Sequence, residues 1–170
     1  MSRKLLGLAL VCICALTPAV AAPAQADEKK VVVEGKFGQV VSNAISKPGG
    51  PDDLELGQEV RVDNLASADP EWNGATITVY EQNLSYPSHG SYRSYGLVHT
   101  RAGDVAYVEL AGTWDIVMQN GQFVAAPFEA KGRFVGGTGK LEGLTGSVVV
   151  KGKVDGKQAG TYSAEITASR

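Results

Sequence analysis

Apolar and polar side chains alternate with a period of two along most of this chain, and no persuasive stripe at helical spacing competes with them. Successive residues of a strand point to opposite faces, so the alternation sorts side chains by side. Val108, Leu110, Gly112, Trp114, Ile116 and Met118 fall on one side of their segment, and Glu109, Thr113 and Asp115 on the other. The next segment sets Val124, Ala126, Phe128, Ala130 and Phe134 against Glu129, Lys131 and Arg133. Val148, Val150 and Val154 then oppose Lys151 and Lys153, and Tyr162, Ala164 and Ile166 oppose Glu165. One apolar face therefore persists through four successive strands.

The same pattern, with its turn signals, predicts eight strands: 30–41, 58–65, 75–86, 91–101, 105–118, 122–135, 143–154 and 158–168. Asn120-Gly121 and Asp155-Gly156 supply the residue pairs that two-residue hairpin turns demand, and Ala102-Gly103-Asp104 marks a third turn. Strands from about residue 91 onward accordingly run antiparallel to their neighbours. Residues 42–57, with Lys47-Pro48-Gly49-Gly50-Pro51, read as a loop. A sheet of eight such strands has two edges to dispose of, and closure removes both. The expected fold is all-β, an eight-stranded antiparallel up-and-down barrel in a single domain over residues 27–170. A two-sheet sandwich has the same strand count and turn spacing and is the alternative.

The strongest punctuation is Gly132 to Gly146, where six of fifteen residues are glycine. Its Gly-Gly-Thr-Gly-Lys core invites comparison with a phosphate loop. That motif needs glycine five positions before its Gly-Lys pair and Ser or Thr after it, where this chain has Phe134 and Leu141. A dinucleotide fingerprint is excluded by Glu142 in place of its last glycine. A tight turn between the sixth and seventh strands remains.

Arg3 and Lys4, the apolar run Leu5–Leu16, and the small residues ending in Ala24-Gln25-Ala26 have the three-part form of a cleaved export signal over residues 1–26. The run ends at Pro18 and falls short of the roughly 18 or more apolar residues that cross a bilayer. Neither Cys12 nor Cys14 follows a small residue, which argues against a lipoprotein. The expected location is periplasmic or extracellular, with no membrane attachment after cleavage. Both cysteines fall in the leader, so the mature chain depends on its core without disulfides. It keeps 14 basic residues against 18 acidic ones, a balance unsuited to a nucleic-acid partner.

Chemistry-bearing residues are sparse. His89 reads as part of a surface turn, and His99 stands alone in a strand. No cofactor or metal site is expected. In Ala75 to Asn83, Ile77 and Val79 assign odd positions to the interior, which places Glu81 and Asn83 there too. A carboxyl group inside a barrel has a raised pKa and can serve as acid or base, while the same group at a hydrated rim does neither. By the same reasoning Val60 and Val62 place Asn64 inside.

The segment Phe134-Val135-Gly136-Gly137-Thr138-Gly139-Lys140-Leu141-Glu142-Gly143-Leu144-Thr145-Gly146 resembles the glycine signature of allene oxide cyclases and, more loosely, the Gly-Gly-Thr-Gly turn of plant dirigent proteins. Leu56 to Leu65, Ile77 to Glu81 and Gly103-Asp104 through Gly112 match further pieces of the cyclase pattern in the same order, over roughly residues 52 to 168. The resemblance implies an eight-stranded barrel with an apolar cavity, and its members' oligomers imply a homo-oligomer. It does not carry the cyclase activity: the family's strand cysteine corresponds to Ile77, its early proline to Arg61 and a nearby asparagine to Leu54. The expectation is an exported barrel that binds a small apolar ligand. Asn64, Tyr80, Trp114, Phe128, Phe134 and Tyr162 are the candidate ligand-binding residues. A cyclase or isomerase acting on a reactive apolar intermediate, with Glu81 and Asn83 as its catalytic groups, is one alternative. A structural protein using its outer surface is another.

Overall fold

Asn120 and Gly121 take φ of 51° and 75°, the paired positive values of a tight hairpin, and Gly103 takes 90° in the turn before it. In the computed structural model, which describes residues 28–48, 53–157 and 159–170, these turns separate the strands as the alternation requires. The strands are β1 (Lys29–Ser46), β2 (Glu55–Ser67), β3 (Thr76–Ser85), β4 (His89–His99), β5 (Val105–Asp115), β6 (Val117–Gln119), β7 (Gln122–Gly137), β8 (Thr145–Asp155) and β9 (Gly160–Ser169). Each long strand pairs antiparallel with the next, β5 pairs with β7, and β9 returns to β1. The sheet is thus a closed eight-stranded antiparallel barrel rather than a sandwich.

Three departures from the expected strands have local causes. The fifth strand, expected to run to residue 118, breaks at Ile116, whose N–H donates to the Ser88 carbonyl at 2.7 Å; β6 is its detached tip. Opposite that tip, Val117 pairs with Ala125 but Met118 with Phe123, so Val124 is left unmatched in a bulge. The bulge turns Val124 outward and leaves Phe123 half-buried, reversing the expected face. Asp155-Gly156 is not a two-residue turn: the Asp155 carboxylate accepts from the N–H groups of Lys157 and Ala159 at 2.8 and 3.0 Å and holds a longer loop.

β1 is also longer than expected. It runs through Val40 to Ser46 against β2, with register shifts after Lys36 and Val40, and so takes up residues 42–46 of the expected loop, while β2 takes up 55–57. The four residues 49–52 at that loop's centre, and the leader, lie outside the described residues.

One end of the barrel is plugged. Trp72, from the β2–β3 connection, is buried with its ring 5.6 Å from that of Phe134. The β7–β8 connection is the glycine-rich stretch: Gly139 and Gly143 adopt φ of 57° and 75° around a 3-10 turn (Gly139–Leu141), which tucks Leu141 and Leu144 fully out of solvent. Above this plug Val33, Ile77, Val98, Val108, Val148 and Ile166 form the core. The other end, where β1 meets β2 and β9 begins, is open.

Candidate functional site

β2 determines the character of the interior, because the side it turns inward is polar. Burial alternates with Gly57, Arg61, Asp63 and Leu65 buried, Glu59 half-buried, and Gln58 and Asn64 exposed. Val60 and Val62 look outward against neighbouring side chains, so Asn64 lies on the outer wall and not in the barrel. The reason is chemical: an interior that holds an ion-pair network reverses the usual link between apolar and inside. β3 behaves as its odd positions predict, with Ile77, Val79, Glu81 and Asn83 inward. Tyr80 is consequently on the outer wall and 46% exposed.

The two strands bring charges together. Glu59 pairs directly across from Glu81. Arg61 lies between carboxylates, with Nε donating to Asp63 Oδ2 at 3.2 Å and Nη1 donating to Glu59 Oε1 at 2.9 Å and Glu81 Oε2 at 3.3 Å. Its guanidinium carbon sits 4.1 Å from the centre of the Phe37 ring. Asp63, with no exposed surface, also accepts from the Tyr162 hydroxyl at 3.2 Å and the Gly38 N–H at 3.0 Å. The last bond follows from the β1 bulge: between the Lys36–Asn64 and Gln39–Val62 pairs, two residues of β1, Phe37 and Gly38, oppose one of β2, Asp63, whose carboxylate satisfies the Gly38 N–H.

These neighbours set the titration behaviour. Burial alone would lower the Arg61 pKa, but Glu81, Asp63 and Glu59 outweigh it and hold the guanidinium more firmly charged than usual. Burial is the strongest influence on Glu81 and pushes its carboxyl above the ordinary range; Arg61 pulls it back and Glu59 pushes it up again. Tyr162 is raised by burial and by the adjoining Asp63 charge, and Tyr92 by burial and by Glu81.

Around this floor stand aromatic rings, each made possible by a glycine on a neighbouring strand. A Cβ at Gly35 would lie 2.0 Å from the Tyr162 ring, one at Gly152 2.4 Å from Phe128, one at Gly90 2.3 Å from Trp114, one at Gly112 2.7 Å from Tyr92 and one at Gly160 2.2 Å from Phe37. Glycines inside strands thus mark close approach, and rings cover the backbone they leave bare. Phe37, Phe128 and Tyr162 form a mutual cluster with centroids 5.7 to 6.5 Å apart.

Two spaces flank the charged layer. Below it, among Val33, Ile77, Val98 and Phe134, is a cavity of only about 70 Å³. Above it, at the open mouth, is a hollow of about 280 Å³ lined by Phe37, Tyr92, Trp114, Phe123 and Phe128, with Glu59, Arg61 and Glu81 at its base. The smaller space holds a few water-sized bodies, whereas the mouth approaches the lower end of ligand-pocket volumes, roughly 300 Å³. A broader concavity of about 920 Å³ lies on the outer wall, bordered by exposed Gln58, Tyr80, Gln82, Arg93, Tyr95 and Lys131. Its breadth reflects open solvent, and Glu59 and Glu81 border it as well as the mouth.

Of the residues singled out from sequence, Glu81, Trp114 and Phe128 meet at the mouth, with Tyr162 behind them against Asp63. Asn83 sits one step further out, packed on Gly57 and accepting from the Ser85 hydroxyl at 3.3 Å. Phe134 belongs to the plugged end, Asn64 and Tyr80 to the outer wall, and His99 is exposed. Sequence reasoning missed Phe37, Glu59, Tyr92 and Asp63, and noticed Arg61 only as a residue replacing proline. The available signal was the spacing Gly57, Glu59, Arg61, Asp63, Leu65, a period-two series of charges between a glycine and a leucine. Among the described residues no group of three or more His, Cys, Asp or Glu is placed to hold a metal ion. Comparison with protein-family models, curated proteins and solved structures gave no match.

Proposed function

We propose that this protein is an exported binding barrel that holds a small, largely apolar molecule in its open mouth, above the Arg61 layer. The observation that carries the reading is the pairing of an aromatic-lined hollow of about 280 Å³ with a floor of buried charges. Apolar walls supply affinity, and a few fixed polar groups orient what they hold. The expected leader at residues 1–26 and the resemblance to allene oxide cyclase barrels support the same reading. The interior below Arg61 is too full to admit such a molecule, so the ligand rests at the mouth instead of deep in the core.

The test uses a neutral apolar dye, Nile red, whose emission rises on leaving water, together with the fluorescence of Trp114. Saturable binding is expected, with loss of binding in Ala126→Trp, whose new side chain fills the hollow. An unchanged far-ultraviolet circular dichroism spectrum confirms that the variant keeps its barrel. Absence of binding by the wild type, or equal binding by the variant, would overturn the proposal.

A second reading, isomerase or cyclase chemistry, is favoured by one feature. Glu81 borders the hollow with a carboxyl whose pKa is raised by burial, the direction that suits a general acid or base. Under that reading Glu81→Gln abolishes turnover of a reactive apolar substrate and leaves its binding intact.

A further inference from the structure

The charges at the base of the mouth do not balance. Asp63 is satisfied by Arg61, Tyr162 and Gly38, and forms with Arg61 a neutral pair beneath the hollow. Glu59 and Glu81 remain. They face each other across β2 and β3, and both lean on the same Nη1 of that already paired guanidinium. Among the described residues lining the hollow, Arg61 is the single cation. Like charges directly opposed on one face of a sheet repel. In a half-desolvated site that repulsion is relieved by a proton or by a positive charge from outside. The walls indicate which kind of charge fits: the negative faces of aromatic π-systems attract cations, and five aromatic side chains surround this base.

Resting on the binding reading above, we infer that the ligand is an organic cation, an amine or quaternary ammonium with an apolar body, whose positive end sits against Glu59 and Glu81 on their mouth side, away from Arg61 and under the aromatic rim. Arg61 then acts as a positioning residue, holding both carboxylates toward the mouth, and does not grip an anion. The guanidinium is unsuited to that second task, since its Nε and Nη1 are committed to Asp63, Glu59 and Glu81, one face lies on Phe37, and the three carboxylates around it repel an approaching anion.

Three probes of nearly one shape separate the possibilities: benzyltrimethylammonium, its neutral carbon isostere neopentylbenzene, and anionic phenylacetate. Their affinities are read by titration calorimetry and by Trp114 fluorescence. The cation is expected to bind at least tenfold more tightly than the isostere, and Glu59→Gln and Glu81→Gln are each expected to reduce that ratio severalfold. Equal binding of cation and isostere would overturn the inference and leave the apolar-binding proposal intact. So would failure of the cation to bind when Nile red does. Tighter binding of phenylacetate would overturn it in favour of Arg61 as the recognising group. Failure of all three probes and of Nile red would remove both proposals together. The wild-type ratio alone decides the question should either glutamine variant fold poorly.

Discussion

Asp63 is the residue on which the interior polar layer depends. It lies fully buried and takes three donors from three strands: Arg61 beside it on β2, Tyr162 on β9 and the Gly38 N–H on β1. Asp63→Ala takes the shared acceptor from Arg61 Nε, the Tyr162 hydroxyl and the Gly38 N–H at once, a change expected to cost about 3–5 kcal/mol because each buried donor left unpaired costs about 1–3 kcal/mol. Tyr162→Phe removes one donor and leaves Asp63 two others, so about 1 kcal/mol is expected. Urea unfolding monitored by circular dichroism ranks the two variants, and a reversed order would mean that Asp63 is dispensable. Glu81 has the opposite sign. Its folded-state pKa is raised above the ordinary 4.5 by burial and Glu59, against the pull of Arg61, with Tyr92 facing it from β4. The folded state therefore holds the proton more tightly than the unfolded chain, and stability falls as pH rises through the window above 4.5. Glu81→Gln is expected to unfold at higher urea than wild type at pH 7, the two converging toward pH 4. A gap that widens on acidification would reverse the assignment.

At the scale of elements, alternation was legible wherever a strand places charge outside. In β8 and β9, Lys151, Lys153 and Glu165 mark the outer face, and their apolar partners are inside. The same rule misdirects on β2, because the physical content of "inside" there is a set of mutually paired charges, and pairing partners on other strands are invisible to a one-strand pattern. It fails at Val124 because a bulge is a property of two strands in register and leaves no mark on one. Glycine carried more information than the alternation credited to it. Gly90, Gly112 and Gly152 have no side chain to enter the alternation, yet each is the floor beneath a ring of the mouth. Gly152→Ala is accordingly expected to displace Phe128 and to cost about 1–3 kcal/mol by overpacking. Gly103→Ala has nothing within 4 Å of its new Cβ and bears only the backbone cost of φ near 90°, about 1–2 kcal/mol. The discriminating readout is dye binding. Gly152→Ala reshapes the hollow and weakens Nile red, while Gly103→Ala leaves affinity at the wild-type value.

On the scale of the whole molecule, closure divides β1 into two halves with different fates. Lys29 to Lys36 are hydrogen-bonded to β2 or β9, and over Val33–Lys36 to both, so that this half is a stave of the barrel. From Gln39 to Ser46 the strand has passed the end of β9, whose last pairing is Thr161 with Lys36, and among the described residues it is held by β2 alone. Its side chains are exposed, Val40, Val41 and Ile45 among them, and no charge falls between Phe37 and Ser46. A strand covered on one side only, with no buried side chains, opens locally at far lower cost than the barrel unfolds. Amide hydrogen exchange should therefore split this single strand: Val31 to Gly35 exchange near the limit set by global unfolding, and Gln39 to Ser46 orders of magnitude faster. The measurement is made at two protein concentrations, because an uncharged open edge is also a surface on which another strand can pair. Fast exchange at both concentrations fits a monomeric barrel in which this half of β1 is an open edge on β2. Protection of Gln39–Ser46 that grows with concentration would mean that the edge is covered by another copy, and uniform protection at both would contradict the one-sided pairing from which the prediction follows.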